Sequence, residues 1–575
     1  MDIFLIDAIG PFFKGYNKKR INWSKIPFHY LDLQDPQTRQ EHFKNIREEL
    51  NRFSAAVSQE GYNYLSLDDV AHLAPDRFHS REINSLIGMY QQEYDHLFEI
   101  IYKYELGCFL TMDILSFSLD LQKQLGHSFE LQLEYICRQI HSIFLRFPCI
   151  SGVILRVGES DGTDVQGVFR SELILKKPSQ VNRLLHRLLP VFEHYDKLLI
   201  LRTWTVGAYK LGDFIWHRRT TAKVLEGIVS PCFILSMKFG ETDFFRYLPL
   251  NKHFFRLPHV QKMIEFQARR EYEGCGEYPS FIGWDYHDYA VQLQEAENLA
   301  GICVWCQTGG WVPFRRLTYL EPEGFWNELN SHVTVQIFRY GTSVEAAIRS
   351  FCVKKQITQV EEFTRLLQLD DLVIKDLLYI RELAGRKFFF RRIRIPPLLS
   401  VFWNTIFINH SIRKILQALT VCPQQCLIEA EQALQNLEEM EICAERAGVS
   451  VEDILFMKDT FAILALARRY YYEPYSEDIR VQVKEAKKAY KRKYPKSRRY
   501  RYRIKTNYTP FPLQGRYLKL LLKLALRKKR GYRLLDHLVM LHFLALLFRI
   551  LIMHRPKMIP KFARKHAMGI ETIFK

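Results

Sequence analysis

Phe233–Phe245 reads FILSMKFGETDFF, and Met263–Gly274 reads MIEFQARREYEG. Each is an apolar run that stops abruptly at charged groups. The first delivers Lys238, Glu241 and Asp243; the second delivers Glu265, Arg269, Arg270, Glu271 and Glu273. Strands of a parallel barrel are buried on both faces and meet substrate only at their C-terminal rim, so they have this form. The two stretches therefore predict neighbouring strands of a (β/α)8 barrel that carry acid–base chemistry.

Working outward, six further runs have the same character. They are PFHYLDL ending near Leu33, Asn63–Asp69, Cys108–Ile114, Gly152–Glu159, Lys197–Trp204 and Gly301–Gln307. Helical periodicity fills most of the gaps. Eight strands alternating with helices predict βα units closed into one barrel. On this reading residues 1–27 are an N-terminal segment and 28–352 the barrel.

After Phe351 the pattern becomes amphipathic and helical, as in VEEFTRLLQLDDLVIKDLLYIREL, and no strand is expected from Thr358 to Tyr472. Residues 353–480 are read as an α-helical domain. PPLLSVFWNTIFINHSIRKIL is apolar nearly all round, which predicts burial between domains or between subunits and hence a homodimer through this domain. Residues 481–575 form a basic, partly amphipathic helical tail.

The net charge of +19 belongs to that tail. From Lys484 onward there are 27 Lys and Arg against 3 Asp and Glu, whereas the preceding residues carry 55 against 60. Lys491–Lys505 mixes cations with tyrosines, a pattern that grips phosphates and stacks bases. Leu534–Met553 is apolar but interrupted by Asp536, His537, His542 and Arg549, which suits an interfacial helix better than a spanning one. The tail's ranking is peripheral membrane contact or partner binding first, a solvated extension next, and nucleic acid third. The scattered eleven cysteines suit a reducing compartment, and Asp2 and Asp7 break the pattern of a secretory signal. The expected location is cytoplasmic, at the inner face of a membrane. No metal or other cofactor is expected: Cys303 and Cys306 lack a second ligand pair and read as packing.

Glycoside hydrolysis needs two carboxyl groups flanking the scissile bond, one to protonate the leaving oxygen and one to attack or to activate water. Glu159, Asp243 and Glu271 stand at the ends of strands four, six and seven and would ring one pocket. On spacing alone they serve equally well as salt-bridge partners of Arg156, Arg202 and Arg270. Trp204 and Trp305 fall near strand ends, where a ring stacks on sugar or simply packs.

Leu198–Gly274 resembles the catalytic core of glycoside hydrolase family 67, the α-glucuronidases. LRTW is similar to the family's arginine-bearing fifth strand, KFGETD to its K-N-G-x-x-D strand end, and EFQARREYEG to its E-F-Q-x-x-x-E-Y-x-G. Asp243 and Glu271 stand 28 residues apart, the family's spacing. The resemblance implies an inverting hydrolase of α-linked uronic-acid oligosaccharides. In it Asp243 and Glu271 activate water, Glu159 is the general acid, and Arg202 and Lys238 hold the uronate carboxylate. The chain departs from the family in lacking its N-terminal domain and in placing Leu155, with Arg156 beside it, where the family has lysine. The alternative is a membrane-associated carbohydrate-binding or surface-polysaccharide biosynthesis protein on the same barrel, with hydrolysis altered or lost.

Overall fold

The computed structural model describes residues 1–14, 26, 28, 31, 35–158, 168–205, 209–307, 316–390, 393–397, 400–402, 405–496, 499–509, 515–526, 546, 549–550 and 553–554. Eight parallel strands close on themselves: β1 (Ile3–Asp7), β2 (Tyr64–Leu67), β3 (Gly107–Asp113), β4 (Gly152–Gly158), β5 (Leu198–Thr205), β6 (Phe233–Lys238), β7 (Gln261–Gln267) and β8 (Leu299–Trp305). Crossover helices include α1 (Pro36–Glu60), α2 (Arg81–Lys103), α3 (Phe129–Arg146), α4 (Pro178–Tyr195) and α5 (Gly283–Leu293), and α6 (Phe325–Tyr340) follows β8. Side chains start these helices where sequence chemistry says they should. Asp35, Ser80 and Ser128 accept the backbone N–H of the third residue on, which satisfies a donor the first turn would leave open. The fold is the expected (β/α)8 barrel followed by a helical region.

The first strand is the principal correction. β1 is Ile3–Asp7, not the run ending near Leu33, so the segment assigned to residues 1–27 contains the strand that closes the barrel. Ile3–Ile6 pair with Gly301–Val304 of β8, and Leu5–Asp7 pair with Tyr64–Ser66 of β2. The carboxylate of Asp7 then accepts the backbone N–H groups of Cys306 and Gln307. Four apolar residues held between two aspartates are enough for a strand buried on both faces. Phe28, the expected start of the barrel, instead stacks on His72 with ring centroids 3.8 Å apart.

The C-terminal region is helical but contains strands. Its helices include α7 (Val360–Val373), α8 (His410–Leu419), α9 (Pro423–Ala447), α10 (Val451–Tyr472) and α11 (Glu477–Lys493). Between α7 and α8 run an antiparallel hairpin of β9 (Phe388–Phe390) and β10 (Ile393–Ile395), then β11 (Val401–Phe402) and β12 (Thr405–Asn409). β13 (Arg503–Asn507) returns from the basic stretch to pair in parallel with β12. The run read as one apolar helix alternates instead. Ile406 and Ile408 are fully buried while Phe407 and Asn409 are only partly so, a period of two.

The basic stretch does not form a separate unit. α11 crosses the expected boundary at 480 and packs on α10. Tyr490, Tyr494, Tyr500 and Tyr502 are buried. The Tyr502 hydroxyl lies 2.8 Å from that of Tyr278, above β7. Arg499 donates to the Glu277 carbonyl and the Asp453 carboxylate, each at 2.5 Å. The tyrosines that would stack on bases are therefore committed to the core.

Candidate active site

The rim of β5, β6 and β7 holds the densest chemistry. Register places Arg202 beside Ser236 and Lys238 beside Glu265. Glu265 is fully buried, and its carboxylate is a hub. Arg202 donates to both of its oxygens, from Nε at 3.0 Å and from a terminal nitrogen at 2.7 Å. Ser236 adds a bond at 2.9 Å and the Trp305 indole another at 3.1 Å. Burial alone would raise this carboxyl's pKa. Arg202, Lys238 and Ser236 outweigh burial and hold it below the ordinary value. The Arg202 guanidinium also lies over the Trp305 ring, 4.6 Å from its centroid.

Beside this hub, Lys238 donates to Asp243 at 2.5 Å, with its ammonium 3.6 Å from the centroid of Trp204 and 4.4 Å from that of Phe244. Asp243 also accepts the Phe244 N–H at 3.0 Å and the Tyr272 hydroxyl at 2.6 Å. Tyr272 directly follows Glu271, and its ring stacks on Phe245 at 4.2 Å. Glu271 is held by Gln267 at both ends. Its N–H donates to the Gln267 side-chain oxygen at 2.8 Å, and its carboxylate accepts the Gln267 amide at 3.2 Å. Asp243 and Glu271 are therefore fixed on adjacent loops tied together by one tyrosine.

The remaining expected residues divide. Arg156 stands beside Arg202 in the β4–β5 register but is held toward β3 and β2, with Nε 2.6 Å from Asp113 and a terminal nitrogen 3.9 Å from Asp68. Burial raises the Asp68 pKa against the pull of Arg156. Glu159 follows the last residue of β4 and lies outside the described residues.

No protein-family model matches this chain, and no curated protein matches it. Among solved structures, a GH138 enzyme targeting pectin rhamnogalacturonan II aligns with TM-score 0.49 and 9% identity over 86% of this chain. This chain spans 62% of that enzyme's length. CpGH84B aligns with TM-score 0.38 and 8% identity over 77% of this chain and 71% of its own.

Two further layers support the rim. In the first, Glu273 accepts from Arg246 at 3.1 Å, Arg270 Nε at 3.0 Å, Ser280 at 2.5 Å and Tyr379 at 2.6 Å. Burial would raise its pKa; Arg270 and Arg246 prevail and bring it to about 2. Tyr379 comes from the C-terminal region, as does Asp371, which Arg246 also reaches at 2.5 Å. Helical region and barrel rim thus share one buried ionic network. In the second layer, Arg394 of β10 donates to Glu241 at 3.2 Å, and Phe389 of β9 packs on Trp216 at 5.3 Å. Trp204 lies against the same cluster. The β9–β10 hairpin is a wall of the Trp204–Lys238–Asp243 quarter. Tyr272 and Glu265 lie inside the motif quoted above, where adjacency to Glu271 and strand register point to them. Arg394 carried no such signal, being 153 residues from its partner.

Among the described residues no group of three or more His, Cys, Asp or Glu side chains is arranged to hold a metal ion. Cys303 and Cys306 are buried thiols whose pKa values burial pushes up, which leaves them poor ligands and poor nucleophiles.

Proposed function

We propose that the barrel is a glycoside hydrolase acting on oligosaccharides that carry an α-linked uronic acid, with inversion at the anomeric carbon. The observation that carries this reading is the fixed pair Asp243 and Glu271, tied through Tyr272 beside two cations seated on indole rings. Water positioned by the pair attacks the anomeric carbon and gives up a proton to one carboxylate. Glu159 protonates the leaving oxygen as the glycosidic bond breaks. Lys238 and Tyr272 fix the direction of the Asp243 carboxylate through the bonds they donate to it. Arg202, aligned by Glu265, and Lys238 are the cations that hold the uronate carboxylate. The sequence resemblance to family 67 supports the same assignment.

A second reading is a carbohydrate-binding role without turnover. It is favoured by one observation: both cations assigned to the uronate already have carboxylate partners within the protein.

Product NMR on α-linked glucuronosyl oligosaccharides separates the two. The hydrolase releases β-glucuronate first, and Glu271→Gln abolishes release while binding persists in calorimetry. Binding by the wild type with no release from any such substrate would establish the second reading.

A further inference from the structure

The helix α12 (Gly515–Ala525), reading GRYLKLLLKLA, lies beyond the part of the basic stretch that the fold absorbs. It packs against α8, with Leu518 turned inward and 7% exposed. Its other described side chains are exposed or half-buried. Arg516, Lys519 and Lys523 are exposed at spacings of three and four, one flank of a helix. Tyr517 is 48% and Leu520 54% exposed, three residues apart on the adjoining flank. A stripe of cations beside a stripe of aromatic and aliphatic side chains is the pattern of a helix lying in a membrane interface.

The surrounding charge selects the sign of that surface. From Ala486 to Leu535 the sequence has no Asp or Glu and 19 Lys and Arg. Some of these cations are used internally: Arg499 pairs with Asp453 and Glu277, and Lys493 with Asp459. Arg516, Lys519 and Lys523 face solvent instead. Nucleic acid would draw on the same cations but would gain most from stacking aromatics, and the four tyrosines preceding β13 are buried. Among the described residues no helix is long and apolar enough to cross a membrane, so contact would lie along the surface.

We propose that α12 docks the protein on an anionic lipid surface, with Tyr517 and Leu520 entering the headgroup boundary and Arg516, Lys519 and Lys523 meeting lipid phosphates. This is independent of whether the barrel hydrolyses sugar.

The test is co-sedimentation of the full chain with phosphatidylcholine vesicles, with and without phosphatidylglycerol. The wild type should pellet with the anionic vesicles alone. Replacing Arg516, Lys519 and Lys523 by Gln should weaken this by about a hundredfold, from roughly fivefold per cation lost. The double variant Tyr517→Ser, Leu520→Glu should abolish it, with an unchanged circular dichroism spectrum because both side chains project outward. Absence of wild-type binding, binding to neutral vesicles of equal strength, or binding that survives both variants would overturn the proposal. So would a single-stranded oligonucleotide bound more tightly than the vesicles and unaffected by the double variant.

Discussion

The hydroxyl of Tyr272 donates to the carboxylate of Asp243 at 2.6 Å, joining the loop after β7 to the loop after β6. Asp243 thus accepts from Tyr272, from Lys238 and from a backbone N–H. A carboxylate so held has a fixed direction, which the positioning of a water molecule requires.

Tyr272→Phe removes one of these donors and leaves the ring on Phe245. Asp243 then loses its tie to the loop after β7, so kcat/KM should fall. Loss of a hydrogen bond to a charged group costs about 1.5–3 kcal/mol, or roughly 10- to 100-fold in rate if it is made in the transition state. An unchanged kcat/KM would show that this bond does not position the base.

Glu265→Gln should destabilise the protein by about 3–5 kcal/mol in urea unfolding, because it leaves Arg202 buried beside Lys238 without its carboxylate. The folded-state pKa of Glu265 is depressed below its unfolded value near 4.5. Its contribution is therefore fully present above that value and is lost as pH falls through the lower folded pKa. The variant should lose this part of the acid sensitivity, and Arg202→Met combined with Glu265→Gln should be more stable than Glu265→Gln alone.

Asp370 behaves in the opposite sense. It is buried on α7, accepts the Phe281 N–H at 2.6 Å, and burial raises its pKa to about 8 from 3.8. Between those values the unfolded chain ionises this group while the folded protein keeps its proton. Stability should then fall as pH rises from about 4 to about 8. Asp370→Asn keeps an acceptor for Phe281 and should remove that slope, giving a variant more stable than wild type at pH 8 by on the order of 1–3 kcal/mol. Parallel slopes for the two proteins would refute the assignment.

What the sequence made legible follows from where each interaction closes. Strands such as Phe233–Lys238 and Gln261–Gln267 are buried on both faces, so contiguous apolar runs announce them. β1 has the same composition but is only five residues long, and the run near Phe28 competes for its role. β12 reads as helix because a short apolar run has no decisive period until its neighbours are known. Asp243 and Glu271 are legible because they follow such strands. The Arg394–Glu241 pair is not, because only tertiary packing brings the hairpin to the rim. Arg394 is buried there deeply enough that burial lowers its pKa to about 10. Phe389→Ala should accordingly raise KM with little effect on kcat, since it loosens a wall and leaves the acids in place.

Composition alone suggests removing everything after Pro474 as a basic appendage. The structure places α11, β13, Tyr500 and Tyr502 within the folded body, with Arg499 bridging Asp453 of α10 and Glu277 above β7. Truncation after Pro474 would strip β12 of its parallel partner and leave Glu277, Asp453 and Tyr278 without the groups that cover them. Buried charges left uncompensated cost several kcal/mol each, so that form should aggregate or expose apolar surface to dye binding. Truncation after Pro510 removes α12 and all that follows but spares β13. Its stability in urea should match that of the full chain within about 0.5 kcal/mol, since among the described residues it removes Leu518 alone is buried. If both truncations were equally stable, the basic stretch would not be the structural strap its buried tyrosines imply.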